Sequence, residues 1–125
     1  MAYPPNLLNS LRVVKGQSKS FQITIKKKSG AKPKLASGVR LIFTAFRGST
    51  VFFTKTTDSG GGIEIIDREN GVAILTLEVA DTEKLETGAN QYELWVDHGE
   101  TPPRRETLVE KAELFATESV TNFNS

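Results

Sequence analysis

The chain has 125 residues, of which 38% are hydrophobic and 25% charged, and a formal net charge of +1. A chain of this length forms one domain and can bury roughly two-thirds of its unfolded surface. The absence of cysteine excludes disulfides and thiolate metal sites. No basic segment followed by an apolar run opens the sequence, and no 18-residue apolar stretch could span a bilayer, so we expect a soluble protein without a secretory signal.

The small net charge conceals an uneven distribution along the chain. Residues 1–57 contain eleven Lys or Arg and no acid, whereas residues 58–125 contain all fifteen acids and five bases. Two interpretations stay open. A sandwich that interleaves its strands would mix the two halves in space, whereas a spatial split would give a dipolar surface able to pair with copies of itself or with a charged neighbour.

Alternation of apolar and polar residues predicts strands in the first half of the chain. One strand has Phe21, Ile23 and Ile25 on one face. The segment Val39–Arg47 has apolar residues on both faces, which favours a central strand or one whose outer face is covered. Its inner residues are Val39, Leu41, Phe43 and Ala45, and its outer ones are Ile42 and Phe46. A hairpin turn at Gly48-Ser49 then leads into Val51–Lys55.

The second half continues with strands separated by glycine turns. Three glycines open the strand Ile63–Asp67, and Asn70-Gly71 makes the turn into Val72–Val79. We expect Asp81 to cap a single helical turn through Thr82–Leu85, closed by Gly88. The strand Gln91–Asp97 follows with Tyr92, Leu94 and Val96 inward, and the last strand has Ala112, Leu114 and Ala116 inward.

Seven or eight such strands predict an all-β fold, an antiparallel immunoglobulin-like β-sandwich with one short helical turn. Tyr92 opens a late strand after that turn, and a tyrosine at this place in immunoglobulin-like sandwiches often bonds back to the preceding corner. We assign residues 11–118 to the sandwich, residues 1–10 to an N-terminal arm and residues 119–125 to a C-terminal tail.

The polar residues show no pattern that catalysis would require. His98, the only histidine, lies in a predicted turn, and no motif gives it a nucleophile or an orienting carboxylate, so we expect a solvated turn residue. The acids Asp58, Glu64, Asp67 and Glu69 lack the spacing of a calcium loop. We therefore expect no catalytic residue, no metal site and no cofactor.

Two further motifs could suggest ligand binding. The glycines Gly60–Gly62 precede a strand and Glu64, whereas a phosphate loop needs a helix N-terminus and usually a lysine. The run Lys26, Lys27 and Lys28 could contact nucleic acid, but no aromatic residues interleave with it to stack on bases. We expect a turn at the glycines and a solvated or protein-binding patch at the lysines, with nucleic acid unlikely as a partner.

Trp95 is the strongest candidate for a binding residue. If Tyr92, Leu94 and Val96 face the core, the pleat directs Trp95 outward, and exposed aromatic residues often anchor interfaces. Ile42 and Phe46 point outward from a neighbouring strand by the same parity, so the three would form an apolar patch. Alternatively, the N-terminal arm of the same chain covers Trp95.

The order of these elements resembles the small β-sandwich of tailed-phage virion proteins, above all the N-terminal domain of BppU-type upper baseplate proteins. The resemblance covers residues 9 to 117. It rests on a basic residue and glycine before an early strand, glycines before later strands, an acid-Thr pair and a closing Tyr-x-Leu-x-Val strand. These are Lys15-Gly16, Gly38, Gly62-Ile63, Asn70-Gly71, Asp81-Thr82, Leu85, Gly88, Tyr92, Leu94, Val96 and Gly99.

This resemblance implies a non-enzymatic structural protein of a virion, assembled in the host cytoplasm. Its partners would be other virion proteins or further copies of itself, with no membrane. Upper baseplate proteins continue into long helical regions that this sequence lacks, so a baseplate or tail accessory and a capsid decoration protein both stay open. The alternative function is a carbohydrate-binding or adhesin module, for which an outward Trp95 would also serve. A nucleic-acid binder would depend on the lysines alone.

Overall fold

Eight strands and one short helix form from the alternating segments in the computed structural model, which describes residues 10–24, 38–99, 102 and 105–118. The strands are β1 (Ser10–Val14), β2 (Lys19–Thr24), β3 (Arg40–Arg47), β4 (Thr50–Thr56), β5 (Ile63–Asp67), β6 (Val72–Leu77), β7 (Gly88–Asp97) and β8 (Arg105–Thr117). The helix α1 (Val79–Glu83) connects β6 to β7. No helix within these ranges is long and apolar enough to cross a bilayer.

The strands form two sheets, so the predicted all-β sandwich is confirmed. One sheet has five strands in the order β1-β8-β7-β3-β4, and the other has three in the order β2-β6-β5. All pairs are antiparallel except β1 with β8, which run parallel. β1 was not predicted from the sequence. Its residues Leu11 and Val13 are buried, and its pairing with β8 extends the large sheet by one strand.

The core lies between the sheets and consists of the inward residues of both. The predicted inner faces are confirmed at every described position of β2, β3, β7 and β8. Phe43 stacks between Phe53 and Tyr92, with ring centroids 6.3 and 5.1 Å away. Tyr92 is fully buried, and this burial raises its pKa to about 12. Ile25, predicted on the inner face of this strand, lies outside the described residues.

The predictions for the corner between β6 and β7 were partly wrong. The strand β6 ends at Leu77 because the chain turns into α1, and Glu78 rather than Asp81 is the N-cap. Asp81 stands three residues later, where its carboxylate accepts a hydrogen bond from the Glu78 N–H at 2.8 Å. Gly88, with a φ of 105°, opens β7 instead of closing the helix.

Asn90 bonds back to this corner. Its side chain is buried, and its Nδ2 donates to the Glu86 carbonyl at 2.8 Å and to the Gly88 carbonyl at 3.3 Å. Asn90 thus bonds back to the corner from a position two residues before Tyr92, and the bond expected from Tyr92 stays a prediction. The sequence signal for the Asn90 bond is a polar residue at an inward position of β7, where every other inward residue is Tyr, Leu or Val.

A buried ion pair joins β4 to the same corner. Lys55 points inward from the edge strand β4, and its Nζ lies 2.5 Å from Asp81 Oδ2, with 12% and 10% of the two side chains exposed. Thr82 is fully buried beside it. The Thr82 hydroxyl accepts from the Gly16 N–H at 3.1 Å and donates to the Gln17 carbonyl at 3.0 Å, which joins α1 to the turn between β1 and β2.

We expect Tyr92→Ala to destabilise the fold by about 3–5 kcal/mol, because it opens a cavity between two stacked rings. Tyr92→Phe keeps the ring and is the matched control. Thermal or urea unfolding of the three proteins measures the difference. If Tyr92→Ala unfolded no more readily than Trp95→Ala, the assignment of Tyr92 to the core would be wrong.

Lys55→Met should destabilise the fold by about 3–5 kcal/mol, since it leaves the Asp81 carboxylate buried without its cation. Arg47→Met is the control, because Arg47 pairs with Glu86 at an exposed site, where such pairs contribute about 0–1 kcal/mol. Urea unfolding gives both values. Equal losses of unfolding free energy from the two substitutions would show that the buried Lys55–Asp81 pair stabilises the fold no more than the exposed Arg47–Glu86 pair.

Candidate protein-interaction surface

The outer face of the five-stranded sheet brings together two of the residues predicted to form an interface. Ile42 on β3 lies directly opposite Trp95 on β7, and Thr107 on β8 lies opposite Trp95 on its other side. The side chains of Ile42 and Trp95 are half-buried. The indole Nε1 of Trp95 is buried and has no hydrogen-bond acceptor in the described part of the chain.

Phe46 lies on the same face, but its side chain is only 9% exposed, so it does not offer the open contact that we expected. A bulge explains the local geometry, because Phe52 is an extra residue of β4 between the pairs Ala45–Phe53 and Phe46–Val51. Val51, opposite Phe46, is 59% exposed. Val51 was predicted only as the start of a strand, and its exposure as an apolar residue was not predicted.

A row of alternating charges borders the Ile42–Trp95 pair. The row consists of Asp58, Arg40, Asp97 and Arg105 and crosses from the loop after β4 to β8, with Asp97 opposite both Arg40 and Arg105. Arg40 binds Asp58 through two hydrogen bonds, Nε to Oδ1 at 3.0 Å and Nη2 to Oδ2 at 2.6 Å. Arg105 Nε lies 3.2 Å from Asp97 Oδ2.

These contacts lower the pKa of both carboxyls in the row. The hydrogen bond from Arg40 is the largest cause for Asp58. For Asp97 the largest cause is the hydrogen bond from the Gly99 N–H at 3.0 Å, followed by the one from Arg105. Asp58 raises the pKa of Arg40 in turn. The two carboxyls therefore stay ionised to a lower pH than an ordinary aspartate, and polar contacts border the apolar pair.

The ion pairs also bear on the uneven charge distribution. Four of them join a base of the first half to an acid of the second: Lys15–Glu118, Arg40–Asp58, Arg47–Glu86 and Lys55–Asp81. Among the described residues the sandwich thus mixes the two halves in space, as the interleaving interpretation expects. Lys26, Lys27 and Lys28, predicted as interface residues, lie outside the described residues.

The predicted turn at the three glycines is confirmed. A Cβ on Gly61 would clash with the Thr56 carbonyl oxygen, and the Gly61 carbonyl accepts from the Thr56 N–H at 2.9 Å. His98 was expected to be solvated, yet it is half-buried, because its turn folds onto the start of β3, where a Cβ on Gly99 would meet the Gly38 oxygen at 2.6 Å. No group of three His, Cys, Asp or Glu that could hold a metal occurs in the described ranges.

Comparison with known proteins supports the fold. No family model matches this sequence, and no curated protein does. Among solved structures, the chain is similar to the N-terminal domain of phage TP901-1 ORF48, a BppU baseplate protein. The TM-score is 0.54 at 15% sequence identity, and the match covers 92% of this chain and 90% of that one. The predicted resemblance to a BppU-type N-terminal domain is therefore confirmed for the fold.

We expect Arg40→Gln to raise the pKa of Asp58 toward its ordinary value of 3.8, because the two hydrogen bonds are lost. Arg105→Gln is the comparison, and should leave the pKa of Asp97 below its ordinary value because the Gly99 N–H remains. Carboxyl-carbon NMR titration measures both values. A depressed carboxyl pKa stabilises the fold above the unfolded pKa, and this contribution disappears as the pH falls through the folded value. An unchanged Asp58 pKa in Arg40→Gln would contradict the assigned contacts.

Proposed function

We propose that this chain is a non-enzymatic structural protein of a tailed-phage virion, a baseplate or tail accessory or a capsid decoration protein, assembled in the host cytoplasm. The observation that carries the proposal is the fold similarity over 92% of the chain to a baseplate protein domain. A shared fold does not fix a function, so the surface has to support the role by its own chemistry.

The outer face of the five-stranded sheet supplies that chemistry. Trp95 and Ile42 form an apolar pair beside the charged row, an arrangement with a central aromatic anchor and a polar border that suits a protein interface. Val51 adds an exposed apolar side chain farther along the same face. We propose that other virion proteins or further copies of this chain bind here.

The carbohydrate-binding alternative receives less support from the same surface. Sugar sites combine several accessible aromatic rings, whereas Phe46 is buried and Phe115 lies under the Arg12 guanidinium, 4.9 Å from the ring centroid. Nucleic-acid binding also has little support, since several of the described bases pair with acids, namely Lys15, Arg40, Arg47, Lys55 and Arg105.

We also propose that the sandwich is immunoglobulin-like. If β2 to β8 are lettered B, C, C′, D, E, F and G in chain order, the sheets become B-E-D and G-F-C-C′. This arrangement is the one expected of immunoglobulin sandwiches whose GFC sheet carries an added strand. Near the start of the F strand, Asn90 bonds back to the Glu86 carbonyl at the preceding corner.

Trp95→Ala should reduce incorporation into purified phage particles several-fold and leave the melting temperature nearly unchanged, because the side chain lies on the outer face. Trp95→Phe is the matched control, since it keeps an aromatic ring while it removes the indole N–H, which has no acceptor in the described residues. Quantitative mass spectrometry of particles from complemented phage measures incorporation. Wild-type protein missing from the particles, or binding in a glycan array that Trp95→Ala abolishes, would contradict the virion role.

A further inference from the structure

The charged row crosses the outer face of the five-stranded sheet from one strand to the next. Arg40, Asp97 and Arg105 are direct neighbours on β3, β7 and β8. Asp58 follows β4 and binds Arg40 through two hydrogen bonds, so it stands beside Arg40 on the β4 side. Since neighbouring strands lie about 4.8 Å apart, the row is about 14 Å long, and its charges alternate from one end to the other.

The row keeps hydrogen-bonding capacity for a partner. A guanidinium has five N–H groups, of which the described contacts use two on Arg40 and one on Arg105. The side chains at the two ends of the row, Asp58 and Arg105, are 57% and 55% exposed, and the two inner side chains are exposed less. A partner can therefore reach both ends without breaking the ion pairs within the chain.

The alternation of charge indicates which partner fits. Two acids and two bases give the row no net charge, so it does not select a uniformly acidic or uniformly basic surface. A complementary partner has to offer the same alternation in the reverse order, and a second copy of the row does so. Placed end to end against its copy, the row sets Asp58 against Arg105 of the second copy and Arg40 against its Asp97. Every member then faces an opposite charge.

The charges also select one symmetry. Two sheets that stack face to face with aligned strands can be related by a two-fold axis parallel to the strands or by one that crosses them. An axis parallel to the strands, between β3 and β7, reverses the row and pairs opposite charges. An axis along the row would set each charge against the same charge of the other copy. Repulsion disfavours that second arrangement.

The same axis brings the apolar pairs of the two copies together. Ile42 and Trp95 lie opposite each other on β3 and β7, and both side chains are half-buried. An axis between these strands sets Ile42 of each copy against Trp95 of the other. Because exposed ion pairs contribute little affinity, the apolar contacts would supply the affinity and the charged rows the orientation.

We propose that two copies of this chain bind face to face through the outer faces of their five-stranded sheets, about a two-fold axis that runs along the strands between β3 and β7. The proposal rests on the interface role proposed for this face and names its partner as a second copy. Other virion proteins would then bind elsewhere on the dimer.

Sedimentation equilibrium of the full chain over a series of concentrations measures self-association. The wild-type chain should form dimers. Raising the salt from about 0.05 to 0.5 M shortens the Debye length from roughly 14 to 4 Å and should weaken the dimer roughly tenfold. A wild-type chain that stays monomeric at every concentration would overturn the proposal, and so would a dimer whose affinity does not change with salt.

Two charge reversals test the pairing itself. Asp58→Arg and Arg105→Asp each set like charges against each other across the axis, and each should weaken self-association roughly tenfold. Mixed in equal amounts, the two variants should bind each other about as tightly as wild-type copies do, because every facing pair is again opposite in sign. Glu64→Arg, at an exposed position of the three-stranded sheet, is the matched control and should change nothing.

Variants that fail to bind each other when mixed, under conditions in which the wild-type chain dimerises, would overturn the assigned axis. Thermal melting checks the fold of each variant, and the melting temperatures should stay close to that of the wild type because both reversed side chains are exposed. Particle incorporation is measured separately. A monomer that enters particles would contradict the dimer alone, and a dimer that is missing from particles would contradict the virion role alone.

Discussion

The ion pair between Lys55 and Asp81 is the contact on which the corner between β6 and β7 depends. Its two charges are almost fully buried, so their desolvation is offset only because Asp81 Oδ2 accepts from both the Lys55 ammonium and the Glu78 N–H. The Lys55 stem crosses Gly62, where a Cβ would lie 2.8 Å from Lys55 Cδ. Edge strand β4, the start of β5 and helix α1 are thereby joined at one point.

The position of α1 then determines contacts elsewhere in the fold. Because Asp81 holds the first turn of the helix, Thr82 faces the turn between β1 and β2 and bonds to its backbone at Gly16 and Gln17. This turn leads from the five-stranded to the three-stranded sheet. One helix of five residues thus contacts the connection between the two sheets.

The inner half of the fold was predictable from the sequence, and the reason is burial. Leu41, Phe43, Tyr92 and Leu94 follow a period of two that only a strand with one face in the core satisfies, and all four are buried. What was missed depends on contacts between distant residues. β1 is short and forms by parallel pairing with β8 about a hundred residues away, and the N-cap at Glu78 depends on the partner that Asp81 finds across the sandwich.

The candidate surface was predictable only in part, for the same reason. The alternation of inward and outward side chains along each strand was enough to predict Ile42 and Trp95 on the outer face. The pairing of β3 with β7 puts them opposite each other. The same alternation does not predict the bulge at Phe52. Next to this bulge Phe46 is buried and Val51 is exposed. A sandwich can keep its inner pattern at 15% identity because many apolar residues fill a core, whereas the outer residues are free to differ. Any particular role of this chain therefore has to reside in its outer residues, such as the Ile42–Trp95 pair and the charged row, and not in the inner residues that the fold requires.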